Sequence, residues 1–138
     1  MTEAHAGGGS ARAMPRHGID DSASVLFRFT DRLYRSTDIR AIYDAALDAI
    51  LAALQCERAA ILLTDEAGVM RFVAWRGLSD GYRAAVEGHS PWKLDDPDPQ
   101  PVAINDVRMA DLGAALKKTV LGEGIRALCF IPMMAGGR

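Results

Sequence analysis

The sequence predicts an α+β fold, an antiparallel β-sheet with helices on both faces, and three observations carry that expectation. Two long amphipathic segments come first, and the apolar runs after them are too short for independent helices. The elements then read helix, helix, strand, strand, helix, strand, helix, strand, whereas a regularly wound chain would alternate strand and helix throughout. No internal repeat of solenoid period is present. Of the 138 residues 49% are hydrophobic, enough for the core of one domain, and 13 glycines with 6 prolines are too few for a collagen-like or wholly disordered chain.

Residues 1–21 hold Gly7, Gly8 and Gly9 but no apolar stretch, so they read as a flexible tail and not as a secretory signal; residues 22–138 read as the folded domain. Asp20, Asp21 and Ser22 supply capping groups before Val25, Leu26, Phe29 and Leu33, which predicts a helix from Ser22 to Arg35. Ser36, Thr37 and Asp38 can satisfy the orphan amides of a second helix. In it Ile39, Ile42, Tyr43, Ala46, Leu47, Ile50, Leu51 and Leu54 share one broad face, opposite Arg40, Asp44 and Asp48.

The run from Arg58 to Thr64 is apolar on both pleat faces, as in a strand inside a sheet. Asp65 to Gly68 forms a hairpin turn into a second strand, Val69 to Arg76, which ends at the Arg76–Gly77 break. Ser79 and Asp80 cap a short helix through Tyr82, Ala85 and Val86, closed by Gly88. The prolines at 91, 97 and 99 exclude a helix between His89 and Gln100, and Pro101 opens a brief edge strand to Ile104. Asp106 to Asp111 offers caps for a helix near Asp111 to Leu121, ended by Gly122 and Gly124. Ile125 to Met134 reads as a long apolar strand, and Ala135 to Arg138 as the start of a turn.

Sixteen basic against 18 acidic side chains give a net charge of -2 with no basic run, which leaves no phosphate-seeking surface and excludes nucleic acid as a partner. The best apolar run, Ala127 to Gly137, is too short for a membrane span and carries Pro132, so a cytoplasmic location is expected. Cys56 and Cys129 read as buried free thiols. No metal ligand set is expected, since His5 and His17 fall in the tail and His89 has no second donor at ligand spacing. Gly122-Glu123-Gly124-Ile125 lacks the lysine of a phosphate loop, and Ser90 beside His89 is outside any nucleophile elbow. Asp95, Asp96 and Asp98 read as a turn-forming loop, not a calcium site. Trp75 reads as a core residue, whereas Trp92 can either stack on an aromatic ligand or plug the edge of the core. His89 reads as a hydrogen-bonding loop histidine beside the rival of a haem ligand.

The string Leu54 to Leu63, then Val73-Ala74-Trp75-Arg76-Gly77-Leu78-Ser79, His89-Ser90-Pro91-Trp92, Pro101 to Val107 and Gly124-Ile125-Arg126-Ala127 resembles a GAF domain, of the type that precedes kinase modules in bacterial sensor histidine kinases. The resemblance covers about residues 24 to 138 and every expected element. It implies two N-terminal helices on one sheet face and a small-molecule pocket on the other. The roof would be Ser79 to Gly88, the His89 to Gln100 loop and the helix near Asp111 to Leu121, with Tyr82, His89, Trp92 and Asp106 as the ligand-binding side chains. It implies a regulatory module with no catalytic residue, an unidentified small effector, no named cofactor and a homodimer through the N-terminal helix. The NKFDE motif of cyclic-nucleotide members, the cysteine-histidine pair of bilin-binding members and the clustered cysteines of methionine sulfoxide reductases have no counterpart here. Such domains also continue past Gly136 into a strand that lies between the first and last strands, and then a closing helix. On that comparison the chain is expected to be truncated, or completed by another chain. The rival readings are a thiol redox enzyme using Cys56 or Cys129 and a non-binding dimerisation scaffold.

Overall fold

The computed structural model describes residues 17–134; the expected turn at Ala135 to Arg138 and most of the expected tail lie outside the described residues. The elements run α1 (His17–Arg35), α2 (Ile39–Leu54), β1 (Ala59–Thr64), β2 (Met70–Arg76), α3 (Asp80–Val86), β3 (Val102–Ile104), α4 (Ala114–Gly122) and β4 (Leu128–Phe130), an α+β architecture in the expected order.

Local chemistry sets most boundaries. The Asp38 carboxylate accepts from the Arg40 amide at 3.3 Å and caps α2, which ends where Gln55 turns left-handed. In the hairpin Asp65 Oδ1 accepts from the amides of Ala67 and Val69, both at 2.9 Å, and fixes the turn between β1 and β2. These strands pair antiparallel, Ala59 opposite Arg76 and Thr64 opposite Met70, with a register shift after Ile61. Ser79 caps α3, its hydroxyl accepting from the Tyr82 amide at 3.1 Å.

Four expectations are corrected. The first helix begins at His17, ahead of Ser22. The fourth is Ala114–Gly122, because Asp106 spends its carboxylate on the Arg108 amide of a separate turn and Gly113 stands at the N-cap without a side-chain acceptor. The last strand is only Leu128–Phe130; beyond it the chain reaches Pro132, which has no amide to donate to a ladder. The strands also form two ribbons, β1 with β2 and β3 with β4, and no backbone hydrogen bond joins them among the described residues.

Helices cover both faces of the first ribbon. Adjacent residues of a strand point to opposite faces. Arg76 reaches Asp44 and Asp48 of α2, while Trp75 lies under the guanidinium of Arg83 from α3, 3.6 Å above the ring centre. The buried apolar side chains include Leu47 and Ala45 of α2 with Ile61 of β1, and Val120 of α4 with Val107 of the Asp106 turn. Polar bonds tie the end of α4 to the open end of the first ribbon. Arg58 Nη2 donates to the Glu123 carbonyl at 3.2 Å, and the Glu123 carboxylate accepts from the amide and the hydroxyl of Ser79, each at 2.7 Å.

Candidate functional site

The segments expected to form the roof are α3, the loop after it and α4. Tyr82, on the one turn and more of α3, is half-buried, and burial, with Glu123 nearby, pushes its hydroxyl above the ordinary tyrosine range. Ser79 and Glu123 hold that helix against the end of α4, and the Ser79 amide and hydroxyl, with Arg58 close by, keep the Glu123 carboxyl below the usual carboxylate range.

Trp92 is half-buried, and its indole N–H donates to the Gln100 carbonyl at 2.6 Å. Its ring meets Phe130 of β4 edge-on, with centroids 6.2 Å apart. These two contacts staple the loop onto the second ribbon. His89 is exposed just past α3, with Nδ1 3.2 Å from the Val86 carbonyl oxygen. Asp106 chelates Arg108, Oδ2 to Nη2 at 2.6 Å and Oδ1 to Nε at 2.9 Å, which holds its carboxyl at about 2. Among the described residues no hydrogen bond, ion pair or ring contact joins any two of Tyr82, His89, Trp92 and Asp106. An incoming ligand would have to displace Arg108 to reach Asp106, and Gln100 to reach the indole N–H.

Sequence reasoning missed two constellations. The first is the Trp75–Arg83 stack, in which Arg83 also binds Asp80 and leaves its buried Nε without a partner. Spacing gives no sign of it, because the two residues belong to different elements. The second is an ion-pair cluster behind the sheet. Asp44 and Asp48 lie on the face of α2 opposite the apolar one, yet both engage Arg76, and Asp48 also accepts from Arg32 of α1 at 2.8 Å. Their separation of four residues, one helical turn, was the available signal. Beside this cluster a groove of about 280 Å³ opens between α1 and α2, lined by Val25, Phe29, Ala45 and Ala49 with Arg28 and Arg32.

The cysteines are free. Cys56 is half-buried, but Cys129 is exposed, against expectation, because it alternates on β4 with Leu128 and Phe130, which point the other way. Among the described residues no group of three or more histidine, cysteine or acidic side chains could hold a metal ion, and no helix is long and apolar enough to cross a membrane.

The family model of the GAF domain matches residues 38–138. A crystal structure of a domain ascribed to a two-component sensor histidine kinase protein of Sinorhizobium meliloti 1021 is similar to this chain, with 51% identity and a TM-score of 0.67, over 75% of this chain and 68% of that one. No curated protein matches.

Proposed function

From the premise that the chain belongs to the GAF domain family, we propose that it is the sensory module of a cytoplasmic signalling protein, binding a small effector under the roof and passing the bound state to an output through its N-terminal helices. The observation that carries this reading is the 51% identity to a domain ascribed to a sensor histidine kinase. The corner where Ser79, Tyr82 and Glu123 meet supports the choice of the roof, since several elements converge there on a few polar bonds. The residues proposed to meet the effector are Tyr82, His89, Trp92 and Asp106.

Thermal-shift and calorimetric screening against nucleotides, haem, bilins and amino acids tests the proposal. A ligand held at a hundred times its Kd stabilises the fold by about 2.7 kcal/mol, well within reach of both methods. Silence across the panel would leave a dimerisation scaffold as the better account. That second reading draws on the exposure of Leu26, Phe27 and Tyr34, at 63, 78 and 94%, on the helix proposed to form the homodimer. Cys56 and Cys129 are both free thiols, and alkylation of the folded chain with an assay for methionine sulfoxide turnover would decide the thiol redox rival.

A further inference from the structure

The helix α1 is held to the rest of the molecule in an unusual way. Val25, Phe29 and Leu33 are half-buried, and Ala45, Ala49 and Ala52 of α2 contribute to the lining of the 280 Å³ groove between the helices. Alanines offer only shallow ridges for a neighbouring helix to interlock with, so the apolar seam leaves direction to be set by polar bonds. The directional tie is Arg32 Nη1 donating to Asp48 Oδ2 at 2.8 Å.

Asp48 is shared. Its other oxygen lies 3.4 Å from Arg76 Nη2, and that same nitrogen donates to Asp44 Oδ1 at 2.8 Å. Arg76 is the last residue of β2, and Gly77, with φ +67°, turns the chain from it toward Ser79, the cap of α3 and partner of Glu123. We infer that Asp48 is a switch point: Arg76 at the β2–α3 corner and Arg32 on α1 draw on one carboxylate, so a movement of the corner resets how firmly α1 is held. Moving Arg76 fully onto Asp44 leaves Asp48 to Arg32 and tightens α1. Moving it onto Asp48 divides that charge, sets two guanidinium groups against each other and loosens α1. These side chains are 35 to 51% exposed, so each bond is weak and exchanging partners costs little. The sensory reading supplies only the cause of the corner's movement; the coupling stands apart from it and is measured without an effector.

Hydrogen exchange of the α1 amides in the whole chain tests the coupling, with circular dichroism to confirm folding. Asp48→Asn speeds exchange, by about 2- to 5-fold for a pair of this exposure. Arg76→Met slows it by a similar factor, the opposite of what general destabilisation does, and has no such effect when Asp48→Asn is already present. Asp44→Asn, a surface change that spares the fold, sends Arg76 to Asp48 and speeds exchange. Arg71→Met, at the far end of β2, breaks pairs with Asp65 and Glu87 and leaves α1 unchanged. Unchanged or faster exchange in Arg76→Met, equal slowing with and without the Asp48 carboxylate, or no response to Asp44→Asn overturns the inference. Those outcomes leave effector binding untouched, and a silent effector screen leaves the coupling untouched.

Discussion

Gly77 carries the chain out of the first ribbon in a left-handed conformation that side chains resist, and a Cβ there would stand 2.5 Å from the Glu57 carbonyl oxygen and 3.0 Å from Arg58 Cγ. Neither neighbour can retreat far, because Ala59 is laddered to Arg76 and Arg58 is tied to Glu123. Gly77→Ala therefore combines backbone strain of about 1–3 kcal/mol with a steric clash, and is expected to lower the urea midpoint without changing the m-value. Asp106 shows a different residue-scale effect. Its carboxyl is held at about 2 against an ordinary 3.8, so the folded state binds this proton later than the unfolded state does. The resulting stability is complete above about pH 4 and is lost as pH falls toward about 2. Urea titrations across that window should show a shallower acid loss in Asp106→Asn, and the difference should shrink in 1 M salt, since the Arg108 side chain that holds it is 60% exposed. The requirement for an aspartate here was visible in the sequence only as a cap; the chelating arginine two residues on was not, because spacing alone does not say which side chain turns back.

Among the elements, α1 is the one whose pattern and environment disagree most. Its apolar positions cover a wide arc, of which Val25, Phe29 and Leu33 face α2 while Leu26, Phe27 and Tyr34 face water. Helical geometry puts the Arg32–Asp48 tie along one flank of the α1–α2 hairpin and Leu26 and Tyr34, with Ile39 and Ile50 of α2, along the other. Exposed apolar side chains gathered along one flank are what self-association uses. Sedimentation of the whole chain is expected to show a concentration-dependent dimer that Phe27→Glu converts to monomer, with a thermal midpoint no lower than the parent's at concentrations where the parent is itself monomeric. A monomeric parent at high concentration removes the homodimer from the proposed function. Periodicity of three and four residues made α1, α2 and their shared cap at Asp38 legible, because local spacing is a local property. Which half of an apolar arc a neighbour covers is set by tertiary packing, and that the sequence does not state.

At the scale of the whole molecule, short apolar runs bounded by turn residues and prolines located every strand, and the Asp65–Gly68 turn fixed the first pairing. What was not legible is how the ribbons associate, because ladder partners distant in the chain leave no local mark; the end of α4 meets the first ribbon through Arg58, Ser79 and Glu123, three residues with no motif among them. Trp92 was legible as an aromatic plug or platform, and only the position of Phe130 separates the two. The divided sheet has a physical consequence. Among the described residues β1 has β2 on one edge and no strand on the other, and a two-stranded ribbon is marginal by itself. That free edge carries unpaired backbone donors and acceptors along the apolar run Ala59–Thr64, with Leu63 44% exposed, a surface that recruits further strands. The chain is therefore expected to aggregate through this edge on prolonged incubation, with thioflavin fluorescence rising as it does. Leu63→Lys sets a charge on the edge and should slow that rise several-fold while leaving the thermal midpoint nearly unchanged. Leu121→Lys, on α4 with a comparable 36% exposure, removes nearly as much apolar surface without touching the edge and should leave the rate as it was. Equal slowing by both substitutions would mean that exposed leucines in general drive the association, and the open edge of β1 would then have no special part in it.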